Sequence, residues 1–186
     1  HLDAIGRVFK TEQYLDSAGT SILTTSLELD VQGNPLTVTD PRGNTIQVQT
    51  FDLLGRPCFT GAADEGYDGS SGDGETRVLL DANSQPLRTT KSGDLSLRRV
   101  VDPLRRPLEL WVTEGTANER LVERTFYGDE LSDASGFVDG RPIKVFDTAG
   151  EVTYDYDFRG NVTSETREVF EDIDTEADWS AEHSTE

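Results

Sequence analysis

The sequence predicts an all-β fold, built from one hairpin unit repeated along the chain. Three observations carry this. An apolar residue, Asp, two variable residues, Gly and a polar residue recur in that order through much of the chain. The segments after each Gly alternate apolar and polar at period two and are rich in Thr, Val and Ile, as half-buried strands are. No convincing apolar stripe at the 3.6-residue helical period appears.

The copies run as follows. "LDAIGRVFKTE" starts at Leu2, "LDSAGTSILTT" at Leu15, "LDVQGNPLTVT" at Leu29 and "TDPRGNTIQVQ" at Thr39. "FDLLGRPCFTG" starts at Phe51, "FDTAGEVTYDY" at Phe146 and "YDFRGNVTSET" at Tyr156. The turn residues are therefore Asp3 and Gly6, Asp16 and Gly19, Asp30 and Gly33, Asp40 and Gly43, Asp52 and Gly55, Asp147 and Gly150, and Asp157 and Gly160. Two copies are degenerate: "LDANSQPLRTT" places Ser84, and "VDPLRRPLELW" places Arg105, where Gly is expected. Asp at the first turn position accepts bonds from amides a few residues on. Gly at the fourth supplies positive φ, as in a type I turn closed by a G1 bulge. The apolar residue before Asp ends one strand, and the segment after Gly starts the next. Pro35–Thr39 and Thr45–Thr50 read most clearly as strands.

A lone hairpin of this size buries too little to stand by itself, so neighbours must pair into a sheet that grows with repeat number. Residues 1–167 are expected to form this repeat segment. An acidic insertion near 63–76, "ADEGYDGSSGDGET" at its heart, is expected to be a solvated loop. Residues 168–186 form an acidic tail or connection and the one stretch with helical potential. The abrupt ends suggest a piece of a larger protein.

Composition narrows the function. The net charge of −19 argues against nucleic acid and anionic membrane as partners. Only three of the basic residues are lysine: Lys10, Lys91 and Lys144. Acidity with few lysines resembles proteins of salt-loving organisms, and an acidic insertion and tail account for it equally well. No apolar run reaches the length of a membrane-spanning helix, and the first residues do not read as a signal peptide. The single cysteine, Cys58, forbids an internal disulfide, and its strand-like setting suggests a buried small hydrophobe. His1 and His183 lie near the ends, which disfavours a Cys–His pair or a histidine metal site.

Other constellations have bland readings. Asp147, Asp155 and Asp157 resemble acid–base partners, yet Asp recurs at the same slot throughout, which favours turn formation. Tyr154 and Tyr156 sit two apart and share a sheet face opposite Asp155. They suit sheet packing better than a ligand platform, as does Trp111. Asn161-Val162-Thr163 is a glycosylation sequon, meaningful only in a eukaryotic secretory setting. Asp64, Asp68, Asp73 and Glu75 invite a calcium hypothesis, but Asp73 stands where the EF-hand glycine belongs and the closing bidentate acid is missing. No catalytic, cofactor or metal residue is assigned.

The repeated "FDxxGR" and "YDxxGN" resemble the YD repeats of Rhs proteins. The longer strings Leu29–Pro57, Val100–Gly115 and Phe126–Asn161, with Glu176–Ser180, are most similar to the B component of insecticidal toxin complexes (Tc toxins). That resemblance implies a non-enzymatic section of a long spiralling sheet, wound into a hollow shell around a C-terminal protein toxin. The implied partners are other Rhs-repeat segments of the same shell, the A and C components, and the enclosed toxin polypeptide. No nucleic acid and no membrane contact by this segment are implied. The implied location is extracellular, as part of a toxin complex. In that family a self-cleaving aspartate site closes the C component. This chain has no counterpart to it, so no protease residue carries over. The alternative is a YD-repeat module of a cell-surface or wall protein that binds glycans or neighbouring cells.

Overall fold

Short connections between alternating segments allow only antiparallel neighbours. The computed structural model describes residues 1–69, 73–129, 138–172 and 176–180. It is all-β, and the chain divides into two units, His1–Leu95 and Ser96–Glu186.

In the first unit the strands are β1 (Lys10–Tyr14), β2 (Ile22–Leu29), β3 (Pro35–Thr39), β4 (Thr45–Phe51), β5 (Pro57–Ala62), β6 (Glu75–Leu80) and β7 (Pro86–Lys91). Each pairs antiparallel with the next, so the order is a plain meander. The strands expected at Pro35–Thr39 and Thr45–Thr50 are β3 and all but the last residue of β4. The second unit holds β8 (Leu95–Val101, beginning one residue before the boundary), β9 (Pro107–Thr113), β10 (Arg120–Tyr127), β11 (Pro142–Asp147), β12 (Gly150–Tyr156) and β13 (Val162–Val169), again a meander.

The register slips by one residue beside most Asp turns. Leu29 pairs with Pro35 but Glu28 with Thr37, so Leu36 is skipped. Ile46, Cys58, Leu87, Leu108 and Thr163 are skipped in the same way. Each slip is a β-bulge, which raises local twist. The proline often found at the strand start has no N–H to lose, so it fits there without breaking the ladder.

The two units differ in what they cover. Among the described residues, the buried large apolar side chains all lie in the second unit. Leu121 is fully enclosed, and Val122, Phe126, Phe146 and Val152 are buried as well. Phe126 meets Phe146 edge-on at 5.9 Å, a favoured aromatic geometry. The first unit is a sheet whose apolar residues remain largely open to solvent, among them Leu2, Ile22, Leu23, Ile46 and Leu79. Cys58 follows this difference. Expected to be buried, it is half-exposed, with Sγ 3.4 Å from the Thr50 hydroxyl.

The tail and the acidic insertion each return part of their length to the sheet. Residues 168–169 continue β13 and are not helical. Glu176–Ser180 then lies against the second unit's core. Ala177 is buried there, and the Trp179 ring packs 4.5 Å from Phe146 and 5.3 Å from Phe170. The Trp179 amide donates to Leu121 O at 2.8 Å and its indole N–H to Asp147 O at 3.1 Å. Burial of Trp and Ala against that core outweighs the solvation of the acids beside them. In the insertion, a 3-10 turn at Ala63–Glu65 brings Tyr67 back onto the sheet, 6.2 Å from Phe59. Gly61 and Gly74 make room: a Cβ on either would overlap Tyr67. Asp64, Glu65 and Asp68 remain exposed, and Ser70–Gly72 lie outside the described residues.

Candidate functional site

The residues that recur most are the turn aspartates, and the structure places each at a hairpin corner. Asp40 is representative. Its N–H donates to Asn44 O at 2.8 Å, and its carbonyl accepts from Gly43 N–H at 3.0 Å. Its Oδ1 accepts from the amides of Arg42 and Asn44, both at 2.8 Å, and Oδ2 from the Asn44 side chain at 3.2 Å. Asp3, Asp16, Asp30, Asp52, Asp81, Asp102 and Asp157 likewise accept the amide of the residue four along. Glycine at the fourth position takes φ +86° in Gly6, Gly43 and Gly160. In the degenerate copies Ser84 and Arg105 are held at φ +64° and +68°, which side chains with a Cβ rarely adopt.

These bonds tune the carboxylates. Asp3, Asp16, Asp40, Asp52 and Asp157 are held below the ordinary aspartate range, chiefly by the hydrogen bond from the residue four along. In Asp30 and Asp102 desolvation pushes upward most strongly, yet the combined hydrogen bonds outweigh it. A carboxylate held ionised and bonded to its own loop is a poor proton carrier.

Asp147 and Gly150 depart from the pattern. They pair directly across a two-residue turn, with no slip in register. Gly150 has φ +148° and begins β12, where a Cβ would overlap the Glu168 carbonyl of β13. Its glycine serves close approach of β13 and not a left-handed corner. Asp147 Oδ1 accepts from Ala149 and Gly150 amides, and Oδ2 from Arg167 at 2.6 Å.

In a meander, alternate turns fall at the same end of the strands. In the first unit one end carries the Asp3, Asp30, Asp52 and Asp81 turns. The residue after Gly reaches from one to the next. Arg7 bonds Asp3 at 2.6 Å and donates to the carbonyls of Asp30 and Val31 at 2.9 and 3.1 Å. Arg56 bonds Asp52 at 2.7 Å, then Asp81 O at 2.7 Å and Ser84 Oγ at 3.1 Å. Gly55 sits against Gln32 and Asn34, closing the step between.

The second unit repeats the device. Arg106 bonds Asp102 at 2.5 Å and clasps Asp129 with both terminal nitrogens at 2.9 and 2.8 Å. That fork pulls Asp129 down to about 2 and raises Arg106 further. Arg106 also lies 4.0 Å over the Tyr127 ring, whose hydroxyl donates to Pro107 O at 3.2 Å. Arg141 lies 5.4 Å over Tyr156, whose hydroxyl donates to Pro142 O at 2.7 Å. A clamp of Arg, Pro and Tyr thus ties one corner to the next. The Arg-Pro strings at 106–107 and 141–142, each followed by a tyrosine at the end of a later strand, were its signal in the sequence, and the hairpin consensus passes over them.

The remaining candidates do not converge. Tyr154 and Asp155 lie in β12, between corners. Among the described residues, no group of three His, Cys, Asp or Glu side chains comes together to hold a metal ion. Glu75 pairs with Arg77 at 2.9 Å. His183 lies outside the described residues, and His1 Nε2 is 3.1 Å from Glu12.

No family model matches the chain, and no curated protein matches it in sequence. Solved structures do match in fold. The crystal structure of TcdB2–TccC3–TEV superposes with a TM-score of 0.74 at 19% identity, covering 96% of this chain and 9% of that one. That of TcdB2–TccC3–Cdc42 gives 0.73 at 19%, with 94% and 9% covered. The Tc holotoxin pore of Photorhabdus luminescens, with a substituted TccC3, gives 0.73 at 19%, with 94% and 8% covered. The chain therefore has the fold of a short stretch of Tc toxin components, about a tenth of their length.

Proposed function

We propose that this chain is a wall segment of a Tc-type toxin shell, which encapsulates a C-terminal protein toxin and helps deliver it. The observation that supports this most is the sheet of the first unit, whose apolar side chains stay open to solvent while its corners are rigidly linked. A wall needs stiffness and length more than an enclosed core of its own. The fold likeness to TcdB2–TccC3 supports the same reading. On it, the partners are further Rhs-repeat segments of the shell, the A and C components and the enclosed toxin, and the setting is extracellular. The role is structural and not enzymatic, with the aspartates as corner posts. The test is electron microscopy of the full-length protein expressed with its toxin-bearing partner. A hollow particle that shields the cargo from added protease is expected. A solid or extended particle with freely digested cargo refutes the reading.

A further inference from the structure

The segment Glu176–Ser180 is held against the second unit by contacts that read its residues one after another. Arg120 donates to Ala177 O at 3.4 Å, and its guanidinium lies 3.7 Å from the Glu176 carboxylate. Ala177 is buried, so a small side chain is needed there. Asp178 Oδ1 accepts from the Leu121 amide at 3.4 Å and from the Ser180 amide at 3.0 Å, which fixes the bend of the segment. The Trp179 ring packs on Phe146 and Phe170, while its amide donates to Leu121 O and its indole N–H to Asp147 O. Ring stacking with a satisfied indole N–H makes tryptophan a strong and selective anchor.

The sheet pairs without this segment. β10 pairs with β11, β11 with β12 and β12 with β13 directly. The ladder between β9 and β10 slips between Leu121 and Glu123, and a bulge disturbs the pairing where the segment docks. Trp179 stays half-buried, and Glu176 and Asp178 are exposed. Residues 171–175 join the segment to Phe170. This is the arrangement of a peptide ligand tied to its own site. Such a tether presents the ligand at an effective concentration on the order of millimolar.

We propose that Phe146, Phe170 and the start of β10 form a peptide-recognition slot, selective for an acidic, small, Asp, Trp sequence, and that Glu176–Ser180 is its removable occupant. When the segment is released, the two rings and the acceptors Leu121 O and Asp147 O are left to a competing peptide with the same motif. A free peptide that binds with a Kd of about 100 µM corresponds to a tethered segment docked about nine-tenths of the time. The inference goes beyond the shell role and stands without it.

Two measurements on the full chain test it. The first is hydrogen exchange of the wild-type protein. The Trp179 amide is expected to be protected about tenfold to hundredfold, at least about tenfold less than the slowest amides of β11 and β12. Equal protection overturns the inference, since the segment would then open together with its whole unit. The second is fluorescence anisotropy of a dye-labelled peptide, TEADWSA (Thr175 to Ala181), titrated with the Trp179→Ala chain, whose own anchor is removed. A Kd of about 10–100 µM is expected, and the wild-type chain should bind at least about tenfold more weakly because its own segment competes. The same peptide carrying Trp179→Ala should lose at least about tenfold in affinity, as loss of an aromatic anchor does. Absence of saturable binding by the variant chain overturns the inference, and so does equal binding of the two peptides. A Trp179→Ala chain that loses its β-sheet signal in far-UV circular dichroism overturns it too, since the sheet would then require the segment.

Discussion

Asp40 shows why one residue type recurs at every corner. Two amides and a side-chain amide converge on its carboxylate, so the backbone donors of the turn are satisfied without water. The corner glycine makes a separate contribution, and the two are separable. Nothing lies within 4 Å of a Cβ built on Gly43, so Gly43→Ala tests φ alone. It should cost about 1–2 kcal/mol in urea unfolding. Arg105 is the reverse case, an exposed non-glycine at φ +68°. Arg105→Gly should raise the urea midpoint, with a gain of up to about 1 kcal/mol. The carboxylates also set a pH dependence. Their folded pKa values lie below the unfolded value, so their contribution is complete above the unfolded aspartate pKa and is lost as pH falls through the lower, folded one. Stability should therefore hold flat near neutrality and fall progressively below about pH 4. Asp40→Asn should flatten that fall, because an amide does not titrate; an unchanged acid limb would show that Asp40 carries none of it. The sequence showed these corners because turn chemistry is local. It did not show that Asp147 differs, because Gly150 answers to the approach of β13 nearly twenty residues away.

The strands were legible for the same reason, since period-two alternation is written into each segment. What binds successive corners was harder to read, because it joins residues separated by about one full hairpin. Arg106 needs Asp129 and Tyr127; Arg141 needs Tyr156. The consensus hides this by treating the residue after glycine as merely polar. An arginine there spans to the next corner, while Asn44 and Asn161 turn back to their own aspartate. The clamp should be measurable through its tyrosine. Tyr156→Phe removes the 2.7 Å bond to Pro142 O while keeping the ring under Arg141. A loss of about 1 kcal/mol is expected in urea unfolding. Combining it with Arg141→Gln in a double-mutant cycle should show coupling between the two. Strict additivity would mean that the hydroxyl and the arginine act independently and that the clamp is two unrelated contacts. The tail belongs to this scale as well. Its acidic composition suggested solvation, yet Trp179 docks because a slot between Phe146 and Phe170 exists only after β11 and β13 are in place.

At the scale of the whole molecule, charge opposes what the corners hold together. Thirty-six acids face seventeen arginines and lysines, and in the first unit no large apolar side chain among the described residues is buried to offset the repulsion. Exposed charges separated by more than a Debye length are screened by salt, and that length falls from about 30 Å at 0.01 M to about 3 Å at 1 M. The corner bonds are short and local, so salt touches them less. The net effect of adding NaCl should therefore be stabilising, and a gain of 1 kcal/mol would raise the thermal midpoint by about 2–4 °C for a chain of this size. Salt also strengthens apolar burial, so a second comparison separates the two causes. Asp64→Lys with Glu65→Lys changes each charge by two, taking the net charge from −19 to −15 at exposed positions of the insertion. If self-repulsion governs, this variant starts more stable in low salt and gains less from NaCl. If both proteins gain equally, the salt response comes from apolar burial, and the acidity of the chain carries no cost to its folding.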